Sequence, residues 1–129
     1  GVYVLHKSGI PTVLITAKSS KSIGPRAKDM HVSEVFADIF PKTAVLEKIL
    51  KDYKVTLDEV CFVGDDLVDL SLMKQVGLPV AVANGASEIK EAASFVTSQA
   101  GGRGAVREVA ELILKSQGKW REILKFYGV

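Results

Sequence analysis

The segment Val60–Asp69 constrains the fold of this chain more than any other. It reads Val-Cys-Phe-Val-Gly-Asp-Asp-Leu-Val-Asp, so four apolar residues end at a glycine and three carboxylates follow within five positions. A short apolar run with β-branched and aromatic members, bounded by glycine, predicts a fully buried strand. Asp65 and Asp66 are therefore expected just beyond the carboxyl end of that strand.

Carboxylates at such a position suit either a ligand site or a helix cap. Open α/β sheets bind ligands in the crevice beyond the carboxyl ends of their strands. A divalent cation or a lysine there would offset the repulsion between adjacent carboxylates. Asp66 can instead cap a helix that starts at Leu67. One cap needs one carboxylate, so the cluster as a whole favours a cation site.

Strand and helix patterns alternate along the rest of the chain. Other strands are expected at Thr12–Thr16, Glu34–Ala37, Pro79–Val82 and Phe95–Thr97. Helices are expected up to Gly9 and over Lys21–Met30, Pro41–Tyr53, Leu67–Val76, Ser87–Ala93, Ala105–Lys115 and Trp120–Tyr127. The alternation predicts βαβ units in one α/β domain over residues 1–129, a three-layer, Rossmann-like parallel sheet with helices on both faces.

Composition limits the classes of partner and the compartment. The net charge is only +2, from 17 basic and 15 acidic residues, which gives no electrostatic argument for nucleic acid or a membrane as partner. No apolar stretch has the length of a membrane span. The single cysteine, Cys61, lies in the predicted strand and is expected to act as a small buried hydrophobe. A cytoplasmic location fits this cysteine usage.

Three polar groups are expected at one side of the sheet, at or just beyond strand ends: Thr16, Lys42 and Asp65. A hydroxyl, an ammonium and carboxylates form a set suited to phosphate and magnesium. Lys42 stands in the first turn of a predicted helix, where a cation opposes the helix dipole. It therefore has either a specific partner or the ordinary role of a solvated surface lysine.

The motifs in this order resemble those of the haloacid-dehalogenase-like phosphatases, and within them the 3-deoxy-D-manno-octulosonate 8-phosphate phosphatases. The resemblance covers nearly the whole chain and is carried by Leu14–Lys18, Lys42, Phe62–Asp69, Gly77–Asn84 and Gly101–Glu108. It implies a magnesium-dependent hydrolase of a small sugar-acid phosphate that works through an aspartyl-phosphate. It also implies a cytoplasmic homotetramer in lipopolysaccharide biosynthesis.

The resemblance assigns roles to residues that would face the substrate. Thr16 and Ala17 match the phosphate-binding second motif, and Lys42 matches the catalytic, phosphate-binding lysine of the third. Lys18 and Arg103 are expected to bind the rest of the substrate, with Arg103 reaching the active site of a neighbouring subunit. Relatives usually have Gly-Arg after the second-motif hydroxyl, whereas this chain has Ala17-Lys18. Lysine keeps the charge but loses bidentate carboxylate recognition.

The resemblance also assigns the metal site. Asp65 matches the magnesium-binding acid of the fourth motif. Asp66 and Asp69 are expected to support it, by shaping the metal site or by engaging Lys42.

The family nucleophile is an aspartate in an Asp-x-Asp motif, and no such motif occurs before Gly64. The domain is therefore expected to be amino-terminally incomplete, without its first strand, its hairpin flap and its nucleophile, and to be inactive alone. The alternative is a non-catalytic relative that serves oligomerisation or regulation, like similar domains fused to sialic-acid cytidylyltransferases. A response-regulator receiver fits less well, because its paired acids should follow the first strand.

Overall fold

A computed structural model describes residues 2–15, 32–37, 42–101 and 104–128. The predicted helix Lys21–Met30 and the candidate site residues Thr16, Ala17, Lys18 and Arg103 lie outside these ranges.

Five short strands form two parallel sheets in the described ranges. Strand β1 (Val13–Ile15) pairs with β2 (Glu34–Phe36). Strands β3 (Cys61–Gly64), β4 (Leu78–Ala81) and β5 (Phe95–Val96) form the second sheet, with β4 in the centre. Their carboxyl ends lie side by side, because Gly64 is in register with Ala81 and Ala81 with Val96. The parallel sheets with helices on both sides confirm the predicted α/β class.

Helices occupy most of the predicted positions. They are α1 (Val2–Lys7), α2 (Leu46–Tyr53), α3 (Leu70–Met73), α4 (Ser87–Ala92), α5 (Ala105–Ser116) and α6 (Trp120–Phe126). Single 3₁₀ turns cover Lys42–Val45, Leu57–Glu59 and Leu67–Asp69. No helix in the described ranges is long and apolar enough to cross a membrane.

Two local details differ from the sequence expectation. The helix predicted over Leu67–Val76 starts as a 3₁₀ turn and ends at Met73, because the chain must leave the helix early to bring Gly77 against an earlier turn. That earlier turn, Leu57–Glu59, was not predicted. Its signal is the Thr-x-x-Glu spacing of a capping box, in which the Glu59 side chain accepts the backbone N–H of Thr56 at 3.0 Å.

The core lies around β4 and between the first and last helices. Val80 and Ala81 of β4 are fully buried, and Ala81 packs with Met73 of α3 and Ile89 of α4. A second cluster joins α1, α5 and α6 through Leu5, Ala110, Leu114 and Ile123. A strand buried on both faces explains why the sequence of β4 is apolar without alternation.

The predicted strand at β3 is present, but the prediction that it is fully buried is wrong. Cys61, Phe62 and Val63 are only partly buried, and the same holds for all of β1. Within the described residues, β1 and β3 each pair with another strand on one side only. The other edge of each strand is therefore not covered by a described strand. Burial still raises the pKa of the Cys61 thiol to about 11, which agrees with its expected apolar role.

Gly77, the residue before β4, allows a close approach of two backbone segments. Its N–H donates to the carbonyl of Leu57 at 2.8 Å, and a Cβ at this position would lie 2.3 Å from the carbonyl oxygen of Asp58. Backbone atoms cannot move aside as a flexible side chain can. Glycine is therefore required where β4 begins against the turn that precedes β3.

Gly77→Ala is expected to lower the free energy of unfolding by about 2–3 kcal/mol, since the new methyl group overlaps a fixed carbonyl. Urea denaturation of the purified protein measures the change. Gly101→Ala is the matched control, because its Cβ would meet atoms no closer than 3.5 Å. Equal stability of the two variants would contradict this account of the contact.

Candidate functional site

The candidate site lies at the carboxyl edge of the second sheet, where Lys42 meets Asp69. The Nζ atom of Lys42 lies 2.5 Å from Oδ1 of Asp69, although the two residues are 27 positions apart. The side chain of Lys42 is 14% exposed and that of Asp69 is 2% exposed. The interpretation of Lys42 as a solvated surface residue is therefore wrong.

The carboxylate of Asp69 is bound on both sides by the protein. Its Oδ1 accepts the Lys42 ammonium, and its Oδ2 accepts the backbone N–H groups of Asp65 at 3.0 Å and Asp66 at 3.3 Å. The side chain thus reaches back over the turn in which it lies. One buried acid connects the lysine to the backbone that presents Asp65.

Gly64 provides the space for this arrangement. A Cβ at Gly64 would lie 2.8 Å from the sulfur of Met73 and 3.0 Å from Cβ of Asp69. The glycine that ends the apolar run therefore lets the chain from α3 pack directly against the end of β3. A side chain here would require Met73 and the buried acid to shift.

Asp66 serves as a cap. Its Oδ1 accepts the backbone N–H of Leu67 at 2.7 Å, at the start of the 3₁₀ turn that leads into α3. Its side chain is exposed. The cap interpretation of Asp66 is confirmed, and a further role in supporting a metal stays a prediction.

Asp65 and Asp69 have opposite electrostatic environments. Partial burial, together with contact and repulsion from the Asp69 carboxylate, raises the pKa of Asp65, and the nearby Lys42 charge offsets this only in part. Burial also disfavours the charged form of Asp69. The hydrogen bonds from Lys42 and from the Asp65 and Asp66 backbone outweigh that effect, and the pKa of Asp69 lies below its ordinary value. Asp69 is thus a stable anion, whereas the charge on Asp65 is compensated only in part.

The donor chemistry at this edge fits a magnesium ion. Mg²⁺ prefers carboxylate oxygens, keeps several of its waters and needs only one or two protein carboxylates. Asp65 is exposed and its charge would be stabilised by a cation, whereas Asp69 would have to give up existing hydrogen bonds. In the ranges that the structure describes, no three ligating side chains cluster closely enough to hold a metal. Asp65 therefore offers one ligand of a site rather than a complete cage.

The loops that follow the three strands are hydrogen-bonded to one another at this edge. The carbonyl of Asp65 accepts the N–H of Ala86 at 3.1 Å, and Oδ1 of Asn84 accepts the N–H of Gly101 at 2.8 Å. Sequence reasoning did not identify Asn84 as part of the site. Its only signal is its position two residues after a predicted strand.

The structure brings together four of the eight candidate residues: Lys42, Asp65, Asp66 and Asp69. The other four lie outside the described residues, although Thr16 directly follows Ile15, the last residue of β1. The described half of the site contains one cation, one buried anion and two exposed carboxylates that follow the end of β3. Such a set can hold a hard cation and an anionic oxygen ligand next to each other.

The sequence profile of the haloacid dehalogenase-like hydrolases matches residues 16–109 of this chain. The matched region includes Lys42 and all three carboxylates of the site.

Curated relatives match almost the whole chain. The 3-deoxy-D-manno-octulosonate 8-phosphate phosphatase KdsC of Escherichia coli strain K12 is 35% identical over 122 residues, which are 95% of this chain and 65% of the relative. The enzyme of the same name from Yersinia pestis is 36% identical over 119 residues, 92% of this chain and 64% of the relative. The chain thus spans slightly less than two thirds of the length of these relatives.

Solved structures show the same fold. A probable YrbI family phosphatase from Pseudomonas syringae has a TM-score of 0.94 and 36% identity, with 99% of this chain and 73% of that chain covered. The 3-deoxy-D-manno-octulosonate 8-phosphate phosphatase of Moraxella catarrhalis, in complex with a magnesium ion, a phosphate ion and a KDO molecule, has a TM-score of 0.92 and 32% identity. The superposition covers 98% of this chain and 72% of that one.

Asp69→Asn is expected to lower the free energy of unfolding by about 3 kcal/mol, because it leaves the Lys42 ammonium buried without a counter-charge. Chemical denaturation without divalent cations measures the change. Asp52→Asn is the matched control, since the Lys48–Asp52 pair has the same 2.5 Å separation but is exposed to solvent. No measurable change is expected there. Equal effects at both positions would show that burial does not decide the strength of the Lys42 pair.

Proposed function

This chain belongs to the haloacid dehalogenase-like hydrolase family, and from that premise we propose that the whole protein is a magnesium-dependent phosphatase. Its proposed substrate is the phosphomonoester of a small sugar acid such as 3-deoxy-D-manno-octulosonate 8-phosphate, the compound in the names of its relatives. The observation that carries this proposal is the buried contact of Asp69 with both Lys42 and the turn of Asp65. In this contact a buried cation lies close to an exposed carboxylate at the carboxyl edge of the sheet, which supports the proposal.

Lys42 is proposed to bind the phosphate. A lysine ammonium has three N–H donors, so Lys42 can remain bonded to Asp69 and still donate to a phosphate oxygen. Asp69 removes the rotational freedom of the lysine before the substrate arrives. Such pre-organised charge is the main contribution that proteins make to phosphoryl transfer.

Asp65 is proposed to hold Mg²⁺, with Asp66 and Asp69 supporting the turn. Bound there, the cation would neutralise negative charge on the transferring phosphoryl group. Thr16 and Ala17, which follow β1, are proposed to donate to the phosphate oxygens. Together with Lys42 these groups would surround the phosphate with positive charge and N–H or O–H donors.

The bond-breaking step requires a nucleophile, which we place outside these 129 residues. An aspartate would attack phosphorus to form an aspartyl-phosphate, while the sugar hydroxyl leaves with a proton supplied by a second acid. Water would then hydrolyse the acyl phosphate, releasing inorganic phosphate and restoring the aspartate. In this scheme the residues of this chain position and stabilise the phosphate.

The sugar-acid part of the substrate is proposed to bind away from the phosphate. Lys18 and Arg103 supply cations suited to a carboxylate, and by resemblance Arg103 would serve a neighbouring subunit of a homotetramer. A cytoplasmic location and a role in lipopolysaccharide biosynthesis follow from the same resemblance. No particular observation favours the non-catalytic alternative, and the receiver interpretation is wrong because the chain belongs to another family.

The whole protein is expected to hydrolyse 3-deoxy-D-manno-octulosonate 8-phosphate faster than other sugar phosphates, and only when Mg²⁺ is present. Phosphate release from a panel of sugar phosphates and from p-nitrophenyl phosphate, with Mg²⁺ or with a chelator, measures this. Residues 1–129 alone are expected to be inactive. Robust hydrolysis by that segment would contradict the external nucleophile, and inactivity of the whole protein on every substrate would overturn the proposed function.

Asp65→Asn is expected to abolish the stabilisation of the protein by Mg²⁺. A ligand present at 100 times its dissociation constant stabilises the folded state by about 2.7 kcal/mol, which is readily seen as a rise in melting temperature. Asp58→Asn is the control, because Asp58 is an exposed acid in the turn before β3, at the opposite end of that strand. An undiminished Mg²⁺ shift in Asp65→Asn would show that the metal binds elsewhere.

A further inference from the structure

The carboxylate of Glu108 fastens the loop that follows β5. Its two oxygens accept the backbone N–H of Ser98 at 2.9 and 3.0 Å, and Oε1 also accepts the Ser98 hydroxyl and the Gln99 N–H, both at 3.0 Å. The backbone N–H of Ser98 contributes most to holding the pKa of Glu108 below its ordinary value. The group is therefore an anion whose partners belong to the loop and not to its own helix.

The same loop is attached to the neighbouring loop after β4. The Thr97 hydroxyl, which is buried, donates to the carbonyl of Gln99 and accepts the N–H of Ala83 at 3.1 Å. Two residues after Gln99, the backbone N–H of Gly101 donates to Oδ1 of Asn84. The segment from Thr97 to Gly101 is thus held on one side by Glu108 and on the other by the loop after β4.

This attachment continues to the proposed metal ligand. Ala86, which ends the loop after β4, donates its N–H to the carbonyl of Asp65 at 3.1 Å. Backbone hydrogen bonds and the side chains of Thr97 and Asn84 therefore link the Asp65 turn, through the loop after β4, to the loop that Glu108 holds. In sequence, that loop leads directly to Arg103.

A purely local role does not account for Glu108. The acid lies in the first turn of α5, where any carboxylate would favour the helix dipole without reaching another segment. Glu111, one turn later, shows the ordinary pattern: within the described ranges its ion pairs are with Arg107 and Lys115 of the same helix. Both carboxylate oxygens of Glu108 instead accept hydrogen bonds from a loop at the edge of the site.

We propose that Glu108 is a positioning residue that fixes the Ser98–Gly101 loop and thereby sets how tightly the sugar-acid part of the substrate binds. The inference rests on the proposed function and extends it. The phosphate is held by other groups, so the effect of Glu108 is selective for substrates that have an anionic group besides the phosphate.

The test compares Glu108→Gln with Glu111→Gln in the whole protein. The amide at position 108 keeps the size of the side chain but removes its charge and puts an NH₂ group where Oε2 accepts the Ser98 N–H, so the anchor is weakened. For 3-deoxy-D-manno-octulosonate 8-phosphate, Glu108→Gln is expected to raise KM about tenfold, with a smaller change in kcat. For p-nitrophenyl phosphate, which has no carboxylate, kcat/KM is expected to stay within about twofold. Glu111→Gln should match the wild type on both substrates.

Amide hydrogen exchange measures the anchor without substrate. Peptides covering residues 97–101 are expected to exchange faster in Glu108→Gln than in Glu111→Gln, and unchanged exchange would overturn the proposed anchor. If Glu108→Gln fails to fold, Glu108→Asp, which keeps the charge on a shorter side chain, is compared in the same way.

The kinetic outcomes separate this inference from the proposed function. Wild-type KM values in Glu108→Gln, or an equal loss on both substrates, would overturn the positioning role while leaving the phosphatase assignment intact. A wild-type protein that hydrolyses neither substrate would overturn the proposed function, and this inference with it.

Discussion

The buried carboxylate of Asp69 is the interaction on which the site and much of its surroundings depend. Moving a charged group out of water costs several kcal/mol unless strong partners replace the lost solvation. Here one lysine and two backbone N–H groups do so. These three bonds tie together the start of the turn before α2, the end of β3 and the start of α3. A single acid therefore fixes Lys42, which lies 27 positions earlier in the chain, to the turn between β3 and α3.

Several features of the chain are explained by the need of the buried Asp69 carboxylate for strong hydrogen-bond partners. Gly64 is small because the acid and Met73 pack where its side chain would be. Lys42 occupies an unfavourable position for the helix dipole because its partner lies elsewhere in the fold. Asp65 remains exposed next to an ionised neighbour, and its charge is consequently suited to a cation rather than to another side chain. The division of roles among the three carboxylates follows from their burial.

The sequence was sufficient for the features that depend on local pattern. The five strands lie where the apolar runs predict them, within about one residue at either end, because hydrophobic periodicity and glycine boundaries act over short distances. The capping role of Asp66 was likewise one of two interpretations open from the sequence. By contrast, the partial exposure of β3 depends on which strands lie beside it. The residues Cys61–Val63 themselves contain no signal for which strands those are.

The least predictable features were contacts between distant segments. The sequence and its family resemblance pointed to Lys42 and Asp69, but only as possible partners, since the pair spans 27 residues. The fit of Gly77 against the Asp58 carbonyl and the bonds from Glu108 to Ser98 and Gln99 involve backbone atoms. Backbone groups are the same at every residue, so their pairing leaves little trace in composition or spacing. Such contacts can be identified only in the folded structure.

The environment of Cys61 has a practical consequence for work on this protein. With a thiol pKa of about 11, only about one molecule in ten thousand carries the reactive thiolate at pH 7. Maleimide or iodoacetamide reagents would therefore modify it far more slowly than an ordinary exposed cysteine. A fluorophore or spin label can accordingly be attached to a cysteine introduced on the surface while Cys61 keeps its place in β3.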